Sequence, residues 1–250
     1  KAQALASTPA EAVSIAAMVT TPGAVAALLF NVLGGRLSDR TTGRFGRRRP
    51  WIIGGAFAML LSTLFLALGT TTVVMAIGWF LAQATANAAF AAYTASIAEQ
   101  VPARQYGRVS GVVGMAQNVG VMVATWLTAW LDSNLFLLFM VPALIGFVLL
   151  VVYALTLPEP VLKKNRYAFD WKGLLHSFWV NPIKHPDFGL AWLGRFLIIL
   201  ASYLFITSRV FYMTSHLGLS AGNATGAVAV GVTIYTVVSM VASVIAGWLS

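Results

Sequence analysis

The chain has 250 residues, of which 59% are hydrophobic and only 9% charged, and its mean hydropathy is +0.82. A soluble core of this length cannot bury that much apolar surface, so the sequence belongs in a bilayer. The formal charge of +9 raises nucleic acid as a partner, but in a bilayer protein basic residues mark the cytoplasmic loops; the absence of cysteine removes disulfides, thiolate metal sites and cysteine nucleophiles.

A spanning helix needs about 20 mostly apolar residues. Seven such stretches are predicted at residues 11–34, 51–70, 73–98, 108–131, 134–156, 189–213 and 225–249. Polar turns separate them and strand-like alternation is missing, so the expected fold is an all-α polytopic helical bundle and not a barrel. Lys1 is not Met, and no signal-peptide pattern opens the chain. It is therefore expected to be an interior piece of a longer protein.

The first span leads into Gly34 to Pro50, reading GGRLSDRTTGRFGRRRP. Arg36, Arg40, Arg44, Arg47, Arg48 and Arg49 crowd into this turn with one acid, Asp39. Gly34 and Gly35 remove side chains where a helix end must approach another backbone closely. Asp39 is expected just past the helix end, as an anion that meets a helix N-terminus or an arginine. The arginines can pair with carboxylates or with lipid phosphates.

Spans two and three are joined around Gly69 to Thr72, and spans four and five around Leu131 to Asn134, so both pairs are expected to be antiparallel hairpins. Between spans three and four lies a second turn, from Glu99 through Pro102 and Arg104 to Arg108. The helix after it carries Gly107, Gly111 and Gly114 on related faces, a spacing that predicts tight helix packing. After span five, Leu157 to Gly189 holds four prolines and reads as a linker. Within it, Asp170 can cap a short helix bearing Trp171, Leu174, Leu175 and Phe178 on one face, lying on the membrane surface or packed on the bundle ends.

Except for Lys1, Arg195 and Arg209, all 16 basic residues fall in turns on one side. The positive-inside rule places that side in the cytoplasm and sets nucleic acid aside. Arg195 and Arg209 lie inside a span, where a central charge costs roughly 2.5–3.5 kcal/mol. Arg195 is close enough to the cytoplasmic end to snorkel, whereas Arg209 either snorkels outward or binds an anionic group.

Residues 25–38, VAALLFNVLGGRLS, align with residues 237–250, VVSMVASVIAGWLS, matching Val25/Val237, Val32/Val244, Gly35/Gly247, Leu37/Leu249 and Ser38/Ser250. A repeat at this separation predicts two six-helix halves of a twelve-span parent. On this reading residues 1–156 belong to the N-terminal half, 157–188 form the cytoplasmic linker and 189–250 begin the C-terminal half. One helix is then expected before Lys1 and about four after Ser250.

The pattern Gly35-x-x-x-Asp39-Arg40-x-x-Gly43-Arg44, followed by Gly46 and Arg47, resembles the signature loop between the second and third helices of the major facilitator superfamily. The longer string from Ser38 through Phe45 and Arg49 to Pro50 resembles the sucrose transporters and their relatives among the glycoside-pentoside-hexuronide cation symporters. The resemblance implies a twelve-helix transporter, of which this chain covers helices two to eight. It also implies that Gly35, Asp39, Arg40, Gly43, Arg44, Gly46 and Arg47 form a latch closing the cytoplasmic side in the outward-facing state. Arg48 and Arg49 are assigned chiefly to fixing topology.

Polar groups at mid-depth are the substrate candidates, because each costs free energy without a partner or a cavity. Asn87, Asn118, Tyr203 and Tyr235 fall near the midplane, Gln83 lies one turn outward of Asn87 on the same face, and Arg209 is added for an anionic group. Amides bond hydroxyls and aromatic faces stack on C–H faces, which suits a neutral sugar; the alternative role for each is an interhelical hydrogen bond. Where the sucrose transporters place an intramembrane Asp this chain has Gln83, and where the melibiose-type carriers place one it has Asn31. No span contains a mid-depth carboxylate, so either a proton or sodium site lies in helices outside the chain or the protein is not a cation symporter. The Gly-Pro signature of drug antiporters is missing after Asn118.

The reading reached from sequence is a monomeric, multi-pass secondary transporter of the plasma membrane, without cofactor beyond a coupling H+ or Na+, moving a sugar or glycoside. Efflux of amphipathic compounds and a non-transporting membrane receptor are the alternatives. An enzyme is set aside because His176, His185 and His216 are scattered without ligand spacing.

Overall fold

The computed structural model describes residues 9–131, 134–159, 181–215, 218 and 221–249. Among the described residues seven long helices follow in order: α1 Pro9–Arg40, α2 Arg49–Leu68, α3 Thr72–Gln100, α4 Tyr106–Trp130, α5 Leu135–Thr156, α6 Pro186–Ser215 and α7 Ala221–Leu249. Among the described residues there is no strand. Counting described residues alone, α1, α2, α3, α5 and α7 contain stretches long and apolar enough to cross a membrane. The linker helix expected after Asp170 and His216 lie outside the described residues.

Local signals explain the boundaries. Thr71 caps α3 by accepting from the Val74 N–H at 3.4 Å, and Asn134 caps α5 by accepting from Phe136 and Leu137, both at 3.1 Å. Pro50 in the first turn of α2 costs nothing there, because its missing N–H would have had no helical partner. The first helix corrects one expectation: it continues to Arg40, so Asp39 lies in its last turn and not beyond it. An anion at a helix C-terminus is unfavourable by itself, which makes its partner the next question.

The chain divides into two compact units, residues 1–106 with 124–170, and residues 107–123 with 171–250. In the first unit α3 packs against both α1 and α2, and α2 packs against α5. Alanine and glycine make this close approach practicable. A Cβ on Gly34 would lie 2.5 Å from the Ala88 Cα, and one on Gly55 would lie 2.8 Å from the Ala89 Cβ. Gly35 is looser, its nearest neighbour being the Ala91 Cβ at 3.9 Å. Two apolar clusters close the unit, Ile15, Val19, Leu66 and Met75 at one level and Ile52, Ala92, Ala154 and Leu157 at the other. Large apolar side chains such as Leu28, Phe57, Phe65 and Leu149 point outward, as they do where lipid is the solvent.

In the second unit α6 packs on α7, and the start of α4 meets the end of α7 through small residues. A Cβ on Gly247 would lie 2.6 Å from the Gly107 O and 2.9 Å from the Gly111 Cα, and one on Gly111 would lie 2.8 Å from the Ser243 O. The glycine spacing expected to mark tight packing therefore does mark a backbone-to-backbone crossing.

Candidate functional site

The basic turn between α1 and α2 folds onto three carboxylates. Arg48 stands at its centre, buried to 3% exposure although it is the residue immediately before α2. One guanidinium nitrogen, Nη1, donates to Ser38 Oγ at 2.5 Å and to the Gly35 carbonyl at 3.4 Å. The other, Nη2, donates to Glu99 Oε1 at 2.6 Å and pairs with Asp39 Oδ1. This contact answers the question raised by Asp39: the repulsion it meets at the C-terminus of α1 is offset by a cation supplied by α2. Glu99, at the far end of α3, holds Arg47 Nη2 with its second oxygen at 2.6 Å.

Glu159 completes the set from the segment after α5. Its carboxylate accepts the backbone N–H of Arg48 and, at 3.0 Å, that of Arg49. It thus caps α2, whose own Arg48 side chain makes no cap. Gly46 stands against the same carboxylate with φ at +84°, a left-handed conformation that favours glycine, and a Cβ there would overlap Glu159. Arg49 donates through Nε to the Leu157 carbonyl at 3.0 Å, and Gln100 Nε2 donates to the Pro158 carbonyl at 2.5 Å. Residues 157–159 are therefore strapped across the ends of α2 and α3. A turn above, Ser96 Oγ and Tyr153 OH lie 2.7 Å apart, and the Tyr93 and Tyr153 rings meet edge to face at 5.0 Å.

Three arginines, Arg47, Arg48 and Arg49, thus meet three acids, Asp39, Glu99 and Glu159, in a balanced clamp joining α1, α2, α3 and the chain after α5. Arg48 is the buried member of this clamp, whereas Asp39 and Glu99 keep 50% and 37% of their side chains exposed, so the cost of breaking it falls on whichever change leaves the guanidinium unpaired.

The positions singled out from sequence distribute unevenly around this clamp. Asp39 and Arg47 are members, and Gly46 is the turn that admits Glu159. Gly35 contributes its carbonyl. Gly43 has open space around its Cβ position, Arg40 is half-buried, and Arg44 lies exposed over the Phe45 ring. Arg48 and Arg49, assigned chiefly to fixing topology, both make internal contacts: one is the hub of the clamp and the other ties the strap. Glu99 and Glu159 were not singled out as partners. The signal that points to them is scarcity, since the chain has only seven Asp and Glu and each of these two stands at a helix end.

The substrate candidates do not converge on one described site. Asn87 borders a cleft of about 350 Å³ in the first unit, lined also by Met59, Ala86, Phe90, Tyr93 and Leu150. Its Nδ2 donates to the Gln83 carbonyl at 2.8 Å, leaving its amide oxygen without a partner among the described residues. Gln83 itself turns toward α1, with its Cγ 3.2 Å from the Cβ position of Gly23. In the second unit Asn118 Nδ2 donates to the Gly114 carbonyl at 3.0 Å, and Tyr235 is exposed. The side chains of Tyr203 and Arg209 lie outside the described residues. Arg195 is exposed on α6.

Long apolar helices stitched at their ends by an internal ion cluster define a multi-pass membrane protein of the helical-bundle class. The model of the Major Facilitator Superfamily matches residues 2–250, and the chain belongs to that family, whose members are secondary transporters. No curated protein and no solved structure matched the chain.

Proposed function

We propose that the protein carries a sugar or glycoside across the plasma membrane by alternating access, as a monomer coupled to H+ or Na+, in the manner of the sucrose transporter group that its basic turn resembles. The clamp centred on Arg48 is the observation that carries this reading: it is a charge-balanced lock placed in the turn where the resemblance puts a latch. On this reading the clamp lies on the cytoplasmic side and holds one state of the cycle closed, and residues 157–188 are the cytoplasmic linker between halves. Asn87, with a free amide oxygen in a cleft, is the strongest of the substrate candidates, and the other polar groups act in a cavity completed by further helices.

The experiment is uptake into vesicles with an imposed proton or sodium gradient, using a panel of labelled sugars and glycosides. Gradient-dependent accumulation is expected, and Asp39→Asn should abolish flux while leaving binding. Binding without flux in the unaltered protein identifies a receptor. Accumulation of none of the sugars overturns the sugar reading. The cleft walls contributed by Met59, Phe90 and Leu150 favour one second reading, extrusion of an amphipathic compound, which predicts gradient-dependent loss of a fluorescent amphiphile.

A further inference from the structure

The arginines of the basic turn are of two kinds. Arg47, Arg48 and Arg49 face inward and are held by carboxylates or a carbonyl. Arg44 faces outward with no carboxylate partner among the described residues, its guanidinium 5.1 Å from the centroid of Phe45, a ring that is itself 63% exposed. The second unit contains the same arrangement built from other elements. Arg108, in the first turn of α4, stands 5.3 Å from the ring of Trp248, which closes α7 and is 74% exposed. Each pair lies at the end of a membrane span.

A ring holds a guanidinium through the attraction of its face for the cation. The N–H groups lie in the guanidinium plane, so stacking orders the arginine without consuming its donors. A planar fork of free N–H groups matches two oxygens of a phosphate. An aromatic ring exposed at the end of a span is favourably placed at the headgroup level of a bilayer. We propose that Arg44 with Phe45, and Arg108 with Trp248, are two seats for anionic phospholipid, each guanidinium bound to a lipid phosphate and each ring in the boundary between headgroups and acyl chains. Charge complementarity selects anionic lipid, because neither arginine meets a carboxylate among the described residues. That the leaflet is the cytoplasmic one rests on the topology proposed above; the lipid contact itself does not.

The test is native mass spectrometry of the full chain reconstituted in mixed phosphatidylglycerol and phosphatidylcholine bilayers, counting retained lipid. Phosphatidylglycerol should be retained in preference, and Arg44→Gln and Arg108→Gln should each weaken retention about fivefold, the expected loss for one basic residue at the surface. Phe45→Ala and Trp248→Ala should weaken it as well. Arg47→Gln, which removes the same charge from inside the clamp, should leave retention unchanged. An independent readout is fluorescence: brominated phosphatidylglycerol should quench the unaltered protein more than Trp248→Phe, and brominated phosphatidylcholine should not separate the two. Equal retention of both lipids, equal loss in Arg47→Gln, full retention in Arg44→Gln/Arg108→Gln, or displacement by inorganic phosphate would each overturn the proposal. No flux is measured, so failure here leaves the transport reading standing, and failure of transport leaves the lipid seats standing.

Discussion

Arg48 and Glu99 meet at 2.6 Å although 51 residues separate them in sequence. The contact ties the entry of α2 to the exit of α3, and it uses a guanidinium that is only 3% exposed. Its partner Arg47 binds the same carboxylate from a position that is 29% exposed. Two adjacent arginines on one acid thus differ in burial and in the partners that burial brings, since Arg48 also reaches Asp39, Ser38 and Gly35.

That difference sets the first prediction. Arg48→Ala opens a gap at the buried centre of the clamp and removes the charge-assisted hydrogen bonds to Ser38, Asp39 and Glu99, and should cost about 1.5–3 kcal/mol. Arg47→Ala removes a partly solvated pair and should cost about 0–1 kcal/mol. Thermal unfolding midpoints in detergent should order the proteins as unaltered, Arg47→Ala and then, well below, Arg48→Ala. Equal midpoints for the two variants would show that burial is not what distinguishes them.

The glycines of the same region separate by what surrounds them. Gly34→Val places a branched side chain where the Ala88 backbone already stands, 2.5 Å from the Cβ position, and overpacking of that kind costs about 1–3 kcal/mol or more. Gly46→Ala forces an L residue into a left-handed conformation, for roughly 1–2 kcal/mol, and also presses on Glu159. Gly43→Ala meets open space and should change stability by no more than about 0.5 kcal/mol. Melting midpoints of the three variants, measured side by side, check the order.

How much of this was legible in the sequence depends on range. All seven helices follow from apolar runs, since a span of about 20 residues is a local property. The Gly34 approach and the Gly107, Gly111 and Gly114 packing were legible for the same reason: a missing side chain in an apolar helix announces that another backbone comes close. The clamp was only half legible. Asp39 and the arginines advertise themselves by crowding, but which arginine turns inward depends on where α2 begins, and a run such as Arg47-Arg48-Arg49 looks uniform in sequence. Glu159 sits next to two prolines in a segment that reads as linker, and only its distance from Arg48 in space gives it a role. Asp39 was expected beyond the helix because the apolar run stops at Gly34, yet the helix continues through polar residues once Arg48 compensates the end.

Glu159 furnishes a third prediction. Removing its cap from the Arg48 and Arg49 N–H groups by Glu159→Ala should cost about 0.5–2 kcal/mol, the range for loss of an N-cap. Glu159→Gln, which keeps an acceptor oxygen, should recover part of that loss. If Glu159→Gln were as damaging as Glu159→Ala, the charge and not the acceptor would be the stabilising element. Chemical denaturation followed by far-UV circular dichroism distinguishes the two.

A fourth prediction concerns the crossing of α4 and α7. Gly247→Leu cannot be accommodated without moving the Gly107 carbonyl, 2.6 Å from the Cβ position, or the Gly111 Cα at 2.9 Å. The helices should therefore separate. A cysteine pair placed at Gly114 and Ser243, where a Cβ on the former would lie 3.4 Å from the Cβ of the latter, reports on this. Because the chain contains no native cysteine, crosslinking of the pair should be rapid in the parent and several-fold slower with Gly247→Leu. Unchanged crosslinking would mean that the crossing tolerates bulk.

The strap of residues 157–159 has a practical consequence for dissecting the protein. Separate expression of the first unit requires choosing where to break the chain, and the end of α5 at Thr156 looks like the natural place. A fragment stopped there discards the carbonyls that receive Arg49 and Gln100 and the carboxylate that closes α2. A fragment carried through Glu159 keeps all of them. Three residues therefore decide whether such a fragment is expressed with its end sealed or open.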